Sequence, residues 1–295
     1  VTDGEHIFAL FGSAVIVCLD FEGKVVWRED LPRERDVDYG VCSSLVLHDD
    51  SLISVGIAKT GLRSLYKKTG KLKWEKKYRE KKYRKKTRFS TPTLVSVVGQ
   101  IQLIHLTNGW VHGIDPDRGD LKWYCRTPVN QGSPAFGSGL LFVDPGAGSK
   151  AIGTAIDPSG EGDVSNAHIK WQVEKVPSAA GCSPIIVGDH VYRAGNPGIL
   201  KCWKLADGKL VYTERLTRVS PCSSPIATAD GRIYIVGSNR SYVIKAGPQM
   251  EVLASNDLDD GQGYTAPAVS NGRIFIKGKE FPVVHWQELS CDGNK

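Results

Sequence analysis

A turn that ends in glycine, followed four residues later by an aromatic residue, keeps returning along this 295-residue chain. It reads Asp20-Phe-Glu-Gly23-Lys-Val-Val-Trp27, then Lys68-Thr69-Gly70-Lys-Leu-Lys-Trp74, then Asp115-Pro-Asp-Arg-Gly119-Asp-Leu-Lys-Trp123. Trp171 follows, and Ala206-Asp207-Gly208-Lys-Leu-Val-Tyr212 repeats the phrase with tyrosine in the aromatic place. The steps between these aromatic residues are 47, 49, 48 and 41 residues. Self-similarity at that period is the mark of a repeat architecture.

A second mark runs in phase with the first. Prolines preceded by a small residue recur as Thr91-Pro92, Ser133-Pro134, Ser183-Pro184, Ser224-Pro225 and Ala266-Pro267, with Ser44-Leu45 in the same slot upstream. Each precedes a short apolar run, and proline is tolerated at the start of a strand, where no ladder hydrogen bond is yet needed. Asp230-Gly231, Asn271-Gly272 and Gly188-Asp189 then divide apolar runs in the manner of hairpin turns. One unit therefore holds four short strands in about 45 residues, the signature of a propeller blade.

The predicted fold is all-β: a β-propeller of four-stranded antiparallel blades, seven in number, with units led by residues 1, 43, 90, 133, 183, 223 and 265. The first unit lacks its Ser-Pro strand and the last has no clear fourth strand. Val1 is not methionine, and eight blades would follow if one precedes it. A single domain spanning 1–295 is expected. The residue two before the Asp slot is small in each clear phrase, at Cys18, Ser64, Gly113, Ala155 and Cys202. The expectation is that each indole lies over the small residue of a neighbouring blade.

The pattern small-x-Asp-x-x-x-Gly-x-x-x-Trp, with its Ser-Pro strand openings, resembles the tryptophan-docking repeat of the pyrroloquinoline-quinone (PQQ) type β-propeller superfamily. The resemblance runs from Asp3 to about Ile276, and Gly113 to Trp123 is its best single match. Two branches of that superfamily are similar to this chain: quinoprotein dehydrogenases, and cofactor-free propellers similar to the outer-membrane assembly lipoprotein BamB. The dehydrogenase branch implies PQQ over a ring of adjacent disulfide-bonded cysteines, and calcium held by carboxylates and amides. This chain has no Cys-Cys pair, so no cofactor is expected. Both branches imply a periplasmic or otherwise extracytoplasmic location.

Other chemistry is thinly represented. No apolar stretch is long enough to cross a membrane. Four of the seven cysteines, Cys18, Cys202, Cys42 and Cys222, fall at repeat positions and are expected to pack as small hydrophobes. The histidines at 6, 48, 105, 112, 168, 190 and 285 form no close-spaced metal motif, and each is expected to be satisfied by packing. Asn256-Asp-Leu-Asp-Asp260-Gly261 is expected to be a solvated turn, and the loops at 76–88 and 144–168 are the longest between strands.

One segment rises above the scaffold. Residues 76–88 contain Lys76, Lys77, Arg79, Lys81, Lys82, Arg84, Lys85, Lys86 and Arg88 against the single acid Glu80, a charge of +8 in a chain whose total is +6. The basic character of the protein is thus local, and such a cluster attracts anionic surfaces. With no catalytic or metal-binding set in view, the sequence predicts a non-catalytic, monomeric scaffold propeller. Its partner is expected to be a protein or an anionic envelope component, with nucleic acid disfavoured. The alternative is a PQQ-dependent alcohol or sugar dehydrogenase using PQQ and calcium, and a sensor domain of a larger receptor is a third reading.

Overall fold

The computed structural model describes residues 1–32, 42–55, 61–78, 90–107, 109–129, 131–146, 152–178, 181–219, 223–258 and 266–277, with the backbone of 284–287. Among these residues there are seven sheets and no helix. The first blade is three-stranded: β1 (Ile7–Phe11), β2 (Val15–Leu19) and β3 (Val25–Asp30). The second holds β4 (Val46–His48), β5 (Ser51–Val55), β6 (Gly61–Tyr66) and β7 (Leu72–Lys77). The third holds β8 (Thr93–Val97), β9 (Gln100–Thr107), β10 (Trp110–Ile114) and β11 (Leu121–Arg126).

The fourth blade contains β12 (Ala135–Gly137), β13 (Leu140–Val143), β14 (Gly153–Ile156) and β16 (Ile169–Val173), while the short β15 (Gly162–Asp163) leaves it to pair with β11. The fifth is β17 (Ile185–Val187), β18 (His190–Gly195), β19 (Ile199–Lys204) and β20 (Leu210–Arg215). The sixth is β21 (Ile226–Ala227), β22 (Arg232–Val236), β23 (Arg240–Lys245) and β24 (Glu251–Asp257). The last comprises β25 (Ala268–Ser270), β26 (Arg273–Ile276) and β27 (Val284–Gln287). Contacts group the chain into two compact units, Val1–Pro145 with Ile152–Gln172, and Gly146–Ala151 with Val173–Lys295.

Strand openings fall where the proline rule puts them, one residue before β8, β12, β17, β21 and β25. The residue before proline is more than small. The Ser44 N–H donates to Thr91 Oγ1 (2.9 Å), the Thr91 N–H to Ser133 Oγ (3.0 Å), and the Ser183 N–H to Ser224 Oγ (2.9 Å). In these three pairs the hydroxyl ties a blade's entry to the main chain of the blade before it, which gives Ser and Thr a reason to hold this slot.

The last two strands of five blades share one irregularity. A β-bulge follows Cys18, Ser64, Gly113, Cys202 and Val243, and their ladder partners are Trp27, Trp74, Trp123, Tyr212 and Ala254. The small residue is therefore the cross-strand partner of the aromatic in its own blade, not a seat in a neighbour. A Cβ on Gly113 would stand 2.0 Å from Trp123 Nε1, so bulk there would displace the ring. What the ring meets in the next blade is the turn glycine. A Cβ on Gly70 would come within 2.7 Å of Trp27 Cε3, and one on Gly119 within 2.7 Å of Trp74 Cε3. Both glycines have positive φ, +70° and +69°, so the same residue type serves the turn and the bare docking surface.

Each docked indole also finds a polar partner. Trp27 Nε1 donates to the Lys67 carbonyl (2.9 Å) and Trp74 Nε1 to that of Pro116 (3.1 Å). In the third blade a glutamine intervenes: Trp123 Nε1 donates to Gln102 Oε1 (2.8 Å), and Gln102 Nε2 donates to the Pro158 carbonyl (3.5 Å). Buried clusters lie between successive blades, first on second, second on third, third on fourth and fifth on sixth. Between the sixth and seventh, the described residues line a half-open cavity of about 590 Å³.

Some expectations need correction. The 144–168 stretch is not one loop, since it contains β14 and β15. Asn256 and Asp257 end a strand rather than form a turn, and Asp257 Oδ1 accepts from Arg240 Nε (2.7 Å) and Arg218 Nη1 (3.2 Å). Cys18 and Cys202 are buried as expected, but Cys42 is exposed. Cys222 and residues 259–261 lie outside the described residues.

Candidate functional site

The basic segment begins inside a strand, because β7 runs through Lys76 and Lys77. Its alternation sends Trp74, Lys76 and Tyr78 toward the third blade. With Trp74 seated on Gly119, Lys76 Nζ donates to Asp120 Oδ1 (2.8 Å) and Tyr78 Oη to the Gly119 carbonyl (2.8 Å). Lys77 points the other way, its Nζ 3.8 Å from Glu75 Oε1. Lys76 and Tyr78 are thus anchors. Arg79, Lys81, Lys82, Arg84, Lys85, Lys86 and Arg88 lie outside the described residues. The chain is described again at Ser90, which is buried, and Thr91, held by Ser133. Both ends of the segment are therefore fixed to the third blade or its successor.

Beneath Tyr78 lie two imidazoles. His105 and His112 are direct ladder partners on β9 and β10, only 1% and 4% exposed. The Tyr78 ring stacks on His112 with centroids 5.4 Å apart, and the two imidazoles stand 6.3 Å apart at 28°. Neither ring nitrogen of His105 has a hydrogen-bond partner among the described residues. Burial pushes the His105 pKa down to about 3, helped by the charge of His112. Burial likewise lowers His112 to about 4, against a backbone hydrogen bond to His105 that favours its charged form. Burial, and then Asp120, raises the Tyr78 phenol. Both imidazoles are neutral at physiological pH, so the root of the basic segment is an uncharged, aromatic wedge.

The sequence did carry a signal for this pair. His105 and His112 are equidistant from the Asn108-Gly109 hairpin signal, so the turn alone pairs them across the ladder. At the same end of the third blade, Trp110 packs on Tyr124 (5.6 Å) and lies under the Arg126 guanidinium (5.8 Å). This end thus presents one cation, Arg126, over an aromatic face.

At the opposite end of the second blade, His48 Nε2 lies 3.8 Å from both Asp49 Oδ2 and Asp117 Oδ1. These three could hold a metal ion. Lys73 Nζ already reaches Asp117 (3.9 Å) and binds Asp50 (2.7 Å), so its ammonium neutralises one of the two carboxylates beside His48. The group is an ion-pair network joining two blades.

A protein-family model described as outer membrane protein assembly factor BamB matches residues 1–145. BamB of Yersinia pestis is 23% identical over 305 residues, covering 96% of this chain and 72% of that protein. The crystal structure of BamB from Moraxella catarrhalis superposes with a TM-score of 0.73 at 14% identity, covering 97% of this chain and 83% of that one. This chain is similar to BamB, and it shares the β-propeller fold of that protein. A quinohemoprotein alcohol dehydrogenase from Pseudomonas putida HK5 shares the fold at 12% identity and a TM-score of 0.67, covering 97% of this chain and 64% of that one.

The family match ends at residue 145, before the blades in which Tyr212 and Ala254 stand at the docking slot. In the propeller's fifth blade Tyr192 takes over: the Gly247 N–H of the next blade donates to its Oη at 2.7 Å. The residues present do not fit the dehydrogenase cofactor. Adjacent cysteines are missing from the sequence, and the buried Cys182 thiol is directed at the Ala194 and Ser223 carbonyls, 3.4 and 3.3 Å away.

Proposed function

We propose that this propeller is a non-catalytic assembly scaffold of the bacterial cell envelope, and that all 295 residues form one propeller domain whose segment 76–88 engages an acidic protein partner. One observation carries the reading. A run of +8 charge is pinned at its start by Lys76 to Asp120 and by Tyr78 to Gly119, on a blade contact fixed by Trp74. A fixed root holds the start of the cationic segment at the contact between the second and third blades, which raises its effective concentration for an acidic surface docking there. The relatives named as assembly factors support a binding role and an extracytoplasmic location. No helix among the described residues is long and apolar enough to cross a membrane.

The test reverses charge beyond the anchors. The quadruple variant Lys81→Glu, Lys82→Glu, Lys85→Glu, Lys86→Glu is expected to keep the wild-type melting temperature and to lose crosslinking to proteins in envelope extracts. Vesicles of phosphatidylglycerol, used in parallel, distinguish an anionic lipid surface from a protein. Unchanged protein crosslinking by the folded variant removes the proposal.

A further inference from the structure

The sixth blade inverts the repeat. At the ladder pair that holds Cys18 with Trp27, Ser64 with Trp74 and Gly113 with Trp123, it has Val243 opposite Ala254. The larger residue now sits in the small slot, and the aromatic slot holds a methyl. Both residues line the 590 Å³ cavity, together with Tyr234, Leu253, Ile274 and Ile276. A missing indole accounts for an apolar space at this place, and a cavity of that size lies in the range that binds ligands.

The third blade shows how such a space can be entered from outside the blade. There β15 adds in parallel to the outer edge of β11, with Gly162 beside Trp123 and Asp163 beside Tyr124. The Val164 N–H then donates to the Tyr124 carbonyl (3.0 Å), and the Val164 side chain, 1% exposed, joins the core cluster that contains Trp123. A three-residue segment thus makes edge hydrogen bonds and drops one apolar side chain behind the fourth strand. In the sixth blade, β24 has no strand on its outer edge among the described residues, and Val252 and Leu253 are exposed there. Ser255 stands at the ladder position of Tyr124, since Tyr242 pairs with Ser255 as His112 pairs with Tyr124.

We infer that the outer edge of β24 is a second protein-binding site, which takes an extended partner segment in parallel and receives its tryptophan or comparable aromatic side chain in the cavity beside Ala254. Backbone pairing supplies the generic part of such recognition and the pocket supplies the selectivity. The site is independent of the basic segment proposed above, so the charge-reversal variant leaves it intact.

The probe is a fluorescein-labelled peptide copying residues 161–167 of this chain with Val164→Trp, compared with the same peptide carrying Val164→Gly. By anisotropy, wild-type protein is expected to bind the tryptophan peptide at least about tenfold more tightly than the glycine peptide. Ala254→Trp fills the cavity from within; it is expected to raise the melting temperature and to weaken the tryptophan peptide by about tenfold or more. Ser255→Pro removes an outward edge N–H while sparing the inner ladder, and is expected to weaken binding at an unchanged melting temperature. Equal binding of the two peptides, or binding of the tryptophan peptide unaffected by either folded variant, overturns the inference. Should Ala254→Trp fail to fold by circular dichroism, the peptide pair and Ser255→Pro decide alone.

Discussion

Trp74 and Ala254 occupy the same ladder position in the second and sixth blades, and the two blade contacts have opposite character. Behind Trp74 the space is filled: the indole covers Gly119, bonds the Pro116 carbonyl and joins a buried cluster with Ile53, Leu62, Leu103 and Ile114. Behind Ala254 there is a cavity. The strands, the bulge and the antiparallel order are the same in both. The backbone of a blade therefore does not depend on the indole, whereas the contact between blades does. That separation lets one contact serve as structure and the other as a receptor surface.

The largest expected effect comes from making the second blade like the sixth. Trp74→Ala removes a buried indole and leaves its cluster unfilled, a loss of about 3–5 kcal/mol, read as a drop in the urea midpoint. Because the cavity in the sixth blade already exists, Leu253→Ala there is expected to cost far less. Comparable losses at the two sites would break the comparison.

Acid is expected to attack the filled contact next. Both imidazoles beneath Tyr78 have folded pKa values, about 3 and about 4, below the 6.5 of an unperturbed histidine. Between those values and 6.5 the unfolded chain binds more protons than the folded one, so stability falls as pH drops through that window and levels off below about 3. By pH 5 the loss is about 2 kcal/mol per ring, from one and a half pKa units at 1.36 kcal/mol each. Urea midpoints at pH 7.5 and 5 measure it, and the pair His105→Leu, His112→Leu is expected to flatten the slope. Gly119→Ala ranks just below, at about 1–2 kcal/mol, because its Cβ would press on Trp74 at a φ of +69°.

Which of these features the sequence reveals follows from what a repeat encodes. Spacing identifies residues that share a slot, so the turn glycines, the tryptophans and the strand-opening prolines were legible. It does not say which neighbour a slot faces. Cys18, Ser64 and Gly113 looked like seats for a neighbour's ring, but each is the ladder partner of the tryptophan in its own blade, and Trp27 and Trp74 lie on Gly70 and Gly119 of the next. β15 was invisible because two residues carry no periodicity. Ala254 carries no such signal, because a repeat is marked by aromatic residues that recur, and the receptor surface is marked by one that does not. At the basic segment, charge composition pointed to residues 76–88, but only the alternation of β7 shows that Lys76 is an anchor and not a free cation.

The smallest effect tests the hydroxyl in front of the prolines. Thr91→Val keeps the shape of the side chain and removes the acceptor for the Ser44 N–H. One neutral hydrogen bond contributes about 1 kcal/mol, and this one is partly open to solvent, so the expected loss is about 0.5–1 kcal/mol. The last blade provides the control, because Ala266 holds the same slot with no hydroxyl to offer. Ala266→Ser would supply an acceptor to the Ser224 main chain, and a gain of similar size in the urea midpoint would show that the hydroxyl, not the small volume, is what the slot requires. No gain from Ala266→Ser together with no loss from Thr91→Val would return the slot to the simpler role of a small residue before proline.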